Sequence, residues 1–431
     1  MKLVKKELGD LGRIIGGSTP STKEESNYGG NIAWITPKDM TSLSSRYISR
    51  GERNITEKGF NSCSTIMLPK NSILFSSRAP IGYIAINLNE VCTNQGFKSI
   101  IPNENIDYMY LYYALMYNKT NIENYGSGTT FKEVSGSVMK KIEINIIEDI
   151  IEQKKTSKIL SLIDSKIEEN NETNNNLQEI CNNVFISWFC DYNFPDNNNN
   201  PYKDTNGQFI ESELGRIPSQ WEIGKFEDII YFSNGYGFKS SELLDSEDKN
   251  TYKVFKQGNI DLKGGIREDK TKSWFYKENT KGLENYILKK GDILMCMTDM
   301  KNSTSPLLGH TALMNRDNEY IVNQRVGLIR CKKELADYPY VYTLSNLEYF
   351  LNDIRSRANS GVQVNLSTKG ICETLIVIPN KEIIKKFDDF ARPIYERIFN
   401  IQDENKNLEK LRDTLLPKLM NGEIDLENIE I

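Results

Sequence analysis

Between Glu148 and Phe189 apolar side chains recur in alternating steps of three and four, through Leu160, Ile163, Ile167, Asn170, Asn174, Leu177, Cys181, Val184 and Trp188. That is heptad spacing with two polar residues at its middle, and no Gly or Pro interrupts it. At 1.5 Å per residue the stretch predicts one helix of roughly 60 Å. So narrow a stripe needs a partner helix to cover it. The chain offers one near its end. Phe387, Phe390, Ile394, Arg397, Ile401, Glu404, Leu408, Leu411 and Leu415 repeat the same steps, again with a polar break near the centre. Ile394 lies 234 positions beyond Leu160 and Leu411 lies 234 beyond Leu177, so the two seams share one spacing.

That common offset raises the question of a duplicated chain. Trp34-Ile-Thr-Pro-Lys-Asp-Met40 aligns with Val254-Phe-Lys-Gln-Gly-Asn-Ile260, and Leu68–Leu74 aligns with Leu288–Leu294, both at an offset of 220. Asn94-Gln95 then matches Asn323-Gln324 at 229, and Gly128–Phe131 matches Gly361–Val364 at 233. Blocks in one order, with an offset that drifts one way, read as globule–helix–globule–helix. The fold class is α+β: two α+β globules in tandem repeat, joined by two long helices forming an antiparallel coiled coil. Residues 1–147 form the first globule, with strands in Ser72–Phe75 and Gly82–Ile86 and a helix over Asp107–Tyr117. Residues 148–190 are the first spacer helix. Asp191–Gly207, Asn-rich with two prolines, reads as an exposed linker. Residues 208–380 are the second globule, whose helix Tyr338–Arg357 answers the one at 107–117. Residues 381–421 form the second spacer helix, ending on an Asn421-Gly422 cap, and 422–431 are a tail.

Composition changes this picture little. With 431 residues, 38% hydrophobic, two globules plus connectors are the natural division. The formal charge of −5 argues mildly against a nucleic-acid binder, but its distribution does not. Residues 1–150 carry 17 basic against 15 acidic side chains, whereas 151–200 carry 4 against 8 and 381–431 carry 9 against 12. The acid surplus sits in helices and linker, and the globules are near neutral. Cys63, Cys92, Cys181, Cys190, Cys296, Cys331 and Cys372 form no CxxC and read as buried thiols of a reducing compartment, without structural zinc. The N-terminus lacks an apolar signal region and no run of about 18 apolar residues occurs, which predicts a cytoplasmic chain with no membrane partner.

His310 is the only histidine, which excludes His-based triads, multi-histidine metal sites and most general-base schemes. There is no GxxxxGK[ST] loop, Gly235-Tyr-Gly237 lacks the third glycine of a dinucleotide fingerprint, and no Pro-Pro supports an amino-methyltransferase tetrapeptide. Nothing reads as catalytic and no metal ligands are expected. The globules instead hold polar and basic residues in turns. The first has Lys38, Ser76, Ser77, Arg78, Asn94, Gln95, Lys98, Thr129, Thr130 and Lys132; the second has Lys256, Gln257, Thr298, Lys301, Asn323, Gln324, Arg325, Gln363 and Asn365. Arg, Gln and Asn pair bidentately with purine edges, and Lys and Thr suit phosphates. The competing use of such residues is local, because Asn, Ser and Thr in turns usually bond their own backbone.

Taken in order, Ser77-Arg-Ala-Pro-Ile-Gly82, Thr93-Asn-Gln-Gly-Phe97, Gly128-Thr-Thr-Phe-Lys-Glu133, Glu152-Gln-Lys-Lys155, Leu214-Gly-Arg-Ile-Pro-Ser-Gln-Trp221, Leu411–Leu419 and Asn421-Gly-Glu-Ile424 form a recognisable set. The chain resembles the specificity subunit of a Type I restriction–modification system over essentially its whole length. The second globule departs from the pattern, lacking SRAPIG and following Asn323-Gln324 with Arg-Val, which fits two globules that read different sequences. The resemblance implies a non-catalytic chain whose globules are target-recognition domains, each reading one half of a split, asymmetric site in double-stranded DNA. It implies helices that space the readers and dock two modification subunits, which carry S-adenosylmethionine and methylate adenine. Two restriction subunits would add translocation and cleavage with ATP and Mg; no cofactor is implied for this chain. On the residues alone two other readings stand beside it: a self-contained DNA methyltransferase or nuclease, and a purely structural coiled-coil scaffold.

Overall fold

The computed structural model describes every residue except 1, 42, 44, 79, 129–131, 197–199, 206, 263–264, 301–306, 360–362, 425 and 427–431. Two compact units divide the chain, residues 1–172 with 402–431, and residues 173–401. The division falls inside both long helices, so each unit holds one globule and a stretch of each helix.

In the first unit, Leu3–Glu7 pairs antiparallel with Glu143–Ile147, the strand that leads into the first long helix. A five-stranded sheet runs Gly12–Gly16, Lys98–Pro102, Ile73–Ser77, Ile81–Asn87, Tyr47–Ile48, and a short parallel pair joins Trp34–Ile35 to Cys92–Thr93. Strand alternation sends Ile73 and Phe75 into a cluster with Tyr110, Tyr113 and Leu160, while Leu74 joins Ile35 and Phe97 in the opposite cluster. The helix Tyr108–Tyr117 is capped by Asp107, whose carboxylate accepts the Tyr110 N–H at 2.8 Å. Gln153, fully buried, roots the long helix here, accepting from the Asp107 N–H at 2.9 Å and donating to the Ile147 carbonyl at 2.8 Å.

The second unit repeats the plan. Glu222–Lys225 pairs with Leu375–Ile378, and a four-stranded sheet runs Ile230–Asn234, Val326–Cys331, Ile293–Cys296, Thr311–Leu313. Ile293 and Met295 again face one cluster and Leu294 and Cys296 another. The duplication holds at single hydrogen bonds. Ile35 pairs with Thr93 and Phe255 with Val322, and the next residues, Asn94 and Asn323, donate to the Ile35 and Phe255 carbonyls. Gly235 is explained here as well: a Cβ would lie 2.4 Å from the Asn323 carbonyl oxygen, as one on Gly17 would lie 2.2 Å from that of Asn94. Both glycines serve a close strand crossing rather than a phosphate.

The long helices span Ile150–Phe185, followed by a π-helical turn Ile186–Cys190, and Lys381–Met420. The second ends where Gly422 turns to φ 68° and Glu423 N–H bonds the Lys418 carbonyl at 2.8 Å. Their pairing is antiparallel within each unit. In the first, Asn170 donates to Asn405 at 2.8 Å and Glu404 at 2.9 Å, Asn405 donates to Asn171 at 2.9 Å, and Arg412 reaches Asp164 at 3.0 Å. Leu160 shares a cluster with Leu416 and Leu419. In the second, Cys181 lies against Tyr395 and, four residues on, Phe185 packs edge-on against Phe387. On the first helix Leu160, Ile163, Ile167, Asn170 and Cys181 are buried, with Asn174, Leu177, Val184 and Trp188 half-buried. The second departs from the heptad reading. Phe387 and Ile401 are buried and Ile394, Leu408 and Leu415 half-buried, but Phe390, Arg397, Glu404 and Leu411 are exposed. The buried line runs instead through Ala391, Tyr395, Ile398, Asn405, Leu416 and Leu419, because this helix covers a globule as well as its partner helix.

Three further expectations are corrected. Tyr338–Arg357 is two helices, Tyr338–Ser345 and Glu348–Ser356, broken where the Asn346 amide bonds the Tyr342 carbonyl. The first globule breaks the same way at Asn118, which bonds the Ala114 carbonyl before a helix Lys119–Asn124. The described residues on either side of the asparagine run are packed rather than loose, since Phe194 is buried and stacked on Tyr202 at 4.6 Å and on Trp221 at 4.9 Å. Cys190 is exposed, and Cys63, Cys331 and Cys372 are only partly buried.

Asp388, buried on the second helix, accepts the Asp337 N–H at 3.0 Å and the Tyr340 N–H at 2.9 Å. Burial outweighs those bonds and pushes its carboxyl up to about 6. The folded state therefore holds this proton more tightly than the unfolded state, so its contribution favours folding at low pH and fades as pH rises from about 4 to about 6. Asp388→Asn is expected to remove that slope. Relative to the parent, its melting temperature should climb between pH 4.5 and 6.5 and then level; a flat difference would contradict this assignment.

Candidate nucleic-acid interface

The predicted polar residues converge because three segments meet at one backbone junction in each globule. In the first, Ser77 N–H bonds the Gly96 carbonyl at 2.8 Å and Val134 N–H bonds the Ser77 carbonyl at 3.0 Å. In the second, Met297 N–H bonds the Arg325 carbonyl at 3.4 Å and Leu366 N–H bonds the Met297 carbonyl at 2.9 Å. The end of a central strand, the Asn-Gln loop and a third, downstream segment thus come together twice.

Above the second junction lies an open cleft of about 290 Å³ lined by Asn234, Met297, Thr298, Gln324, Arg325, Gln363, Asn365 and Leu366. Five of these eight are sequence-predicted, and they come from three distant stretches. Gln324, Arg325 and Gln363 are exposed. Thr298 donates to the side-chain oxygen of Gln257, which joins that residue to the edge. Asn323 is turned inward, its Oδ1 accepting from the Arg325 N–H at 3.3 Å, as Asn94 Oδ1 accepts from Gly96 at 2.8 Å. These two asparagines shape the loop and present the exposed Gln95 and Gln324 that follow. Gln95 accepts from the Thr19 hydroxyl.

In the first junction Arg78 and Lys98 approach Glu133, and Lys132 is exposed beside them. Ser76 and Ser77 are corrected as contact residues, for both are fully buried. Ser76 hydroxyl donates to the Pro80 carbonyl at 2.8 Å and accepts from Tyr83 N–H at 2.7 Å, and Ser77 donates to the Gly96 carbonyl. Lys256 spends its ammonium on Ser273 at 2.7 Å. Lys38 is exposed and paired with Glu52 at 2.6 Å. Thr129, Thr130 and Lys301 lie outside the described residues. Two polar participants escaped the sequence reading. Asn234 had only its position before Gly235 to mark it, and Glu133 stood in a quoted motif but, being acidic, was passed over.

Chemically, the second cleft offers amide donors and acceptors and one guanidinium, the set that matches base edges. His310 lies in a different cleft with Gln178, Tyr342 and Asn346, and burial together with Arg355 holds its pKa below the usual imidazole range. Among the described residues no group of three His, Cys, Asp or Glu is placed to hold a metal, and no helix is long and apolar enough to cross a membrane.

The family model for the Type I restriction modification DNA specificity domain matches residues 2–179 and 218–410. The chain belongs to the Type I restriction–modification specificity subunits. Each matched stretch is one globule with most of the helix after it, which is the unit of duplication read from the offsets. The MjaIX specificity subunit of Methanocaldococcus jannaschii is 34% identical, over 98% of this chain and 94% of that one. The HindI specificity subunit of Haemophilus influenzae is 24% identical over 97% and 98%. Among solved structures, the S subunit of a Type I restriction–modification system from M. genitalium aligns with a TM-score of 0.54 at 17% identity, over 97% of this chain and 96% of that one. That likeness extends the specificity-subunit fold to both globules and both helices.

Proposed function

We propose that this specificity subunit reads a bipartite, asymmetric site in double-stranded DNA, one half through each globule. The observation that carries the reading is the doubled junction. One backbone frame is built twice, with Arg78, Lys98 and Glu133 on the first and Thr298, Gln324, Arg325, Gln363 and Asn365 on the second. One frame with two side-chain sets suits two readers of unlike sequence. In this reading the chain performs no chemistry. It acts in the cytoplasm with two modification subunits, which transfer a methyl group from S-adenosylmethionine to adenine. Two restriction subunits using ATP and Mg complete the assembly. The exposed Leu162, Ile180, Phe390 and Leu411 on the long helices supply apolar surface for docking.

The test is a methyl-transfer and gel-shift assay on the chain alone and with its modification subunit. The pair should methylate a defined bipartite sequence and the chain alone should not; methyl transfer by the pure chain would overturn the non-catalytic reading. Arg325→Ala in the same assay is expected to weaken target binding by about 1–3 kcal/mol, roughly 5- to 150-fold, and to relax discrimination in one half-site only. Equal loss on target and non-target DNA would make Arg325 a phosphate contact instead.

A further inference from the structure

Three charges meet at the first junction. Lys98 Nζ lies 3.1 Å from one oxygen of Glu133, and Arg78 Nη1 lies 3.7 Å from the other. The Lys98 side chain is 14% exposed, and those of Arg78 and Glu133 are 34% and 35% exposed. Such a triad can simply brace a fold. The second globule speaks against that use. Arg78 bridges Glu133 as Thr298 pairs with Asn365. Lys98 stands two residues before Ile100, the partner of Ile73, and Gly327 stands two before Ile329, the partner of Ile293. The matching positions are therefore Thr298, Gly327 and Asn365. All three charges are replaced together, and the same backbone bonds still form. The frame does not need the triad, so the triad serves what the first globule does and the second does not.

We propose that Glu133 is a carboxylate latch that keeps Arg78 and Lys98 from binding DNA of the wrong sequence. The proposal rests on the DNA-reading function above. Two open cations beside the exposed Lys132 would take phosphates of any sequence, because that attraction is electrostatic and blind to bases. With Glu133 on both, a phosphate meets a carboxylate already seated and is repelled by it. A correctly placed base edge offers Arg78 neutral acceptors in bidentate geometry, without that repulsion, and draws the guanidinium away. Specificity then comes from a penalty on the wrong partner.

The experiment uses the full chain with its modification subunit, on a target duplex and on a non-target duplex of equal length, across a salt series. Glu133→Gln is expected to raise non-target affinity about tenfold and to steepen the salt dependence by about one to two, since each recruited phosphate adds roughly 0.9 to the slope. The target-to-non-target ratio should fall by a similar factor. Glu133→Asp, with a shorter arm, should fall between. The neutral set Arg78→Thr, Lys98→Met, Glu133→Asn should fold with a near-parental melting temperature and bind non-target DNA no better than the parent. Unchanged non-target affinity and slope in Glu133→Gln overturns the latch. Failure of either Glu133→Gln or the neutral set to fold shows a brace and overturns it too. If the parent itself fails to prefer any target, the DNA-reading function falls, and the latch with it.

Discussion

Exchanging residues 1–147 for the corresponding globule of another specificity subunit is expected to change one half of the recognised sequence and leave the other half intact. Each unit has its own clusters of buried side chains, so the second globule keeps its core when the first is replaced. The boundary at 147 nevertheless cuts a buried network. Asp164 on the first helix takes the Tyr113 hydroxyl at 2.6 Å and Arg412 at 3.0 Å. Arg46, its side chain 6% exposed, bonds Ser165 at 2.7 Å and the Ser161 carbonyl at 3.1 Å. A foreign globule lacking Tyr113 and Arg46 would leave Asp164 with Arg412 but without the Tyr113 hydroxyl, and Ser165 without the Arg46 guanidinium, at about 3–5 kcal/mol for a broken buried pair. At roughly 2–4 °C per kcal/mol that is a melting loss on the order of 10 °C. A graft that carries its own residues equivalent to 1–172 and 402–431 should recover it. Recognition that changes in both halves after the stable graft would defeat the two-reader account.

That network also shows where sequence reading stopped. The duplication was legible because its offsets of 220 and 229 reappear as paired residues, Phe255 with Val322 repeating Ile35 with Thr93. The first helical seam was legible because apolar periodicity survives in a single chain. The second misled because it has two neighbours: Leu411 looks like a seam residue and is exposed, while Arg412 beside it is largely buried against Asp164. No periodicity rule ranks an arginine above a leucine for burial; only the partner carboxylate does. At the junctions, residue type pointed to the right loops but not to the facing of each side chain. Ser76 and Ser77 share a motif with Arg78, yet a strand and its irregular end bury both serines and leave the arginine partly open. Asn94 and Gln95 divide likewise, one spent on its own turn and the other outward.

Lengthening both long helices by one heptad is expected to lengthen the preferred gap between half-sites by about three base pairs, or to abolish target binding. Seven residues add roughly 10 Å of helix and keep the seam in phase, and each base pair advances about 3.4 Å. Rotation around the duplex must also match, which is why loss of binding is the other expected outcome. The antiparallel pairing decides where the insertions go. Equal offsets along the sequence suggest Asn174 and Leu408 as partners. But Asn170 meets Asn405, and four residues onward along one helix is four residues back along the other, so Asn174 stands level with Ile401. Insertions after Asn174 and before Ile401 extend the pair together, whereas one near Leu408 would throw Asn405 and Arg412 out of step with Asn170 and Asp164. A selection of methylated duplexes with gaps of varied length reads the result directly. A stably folded, doubly extended chain that still prefers the parental gap with unchanged affinity would show that the helices do not set the distance between readers.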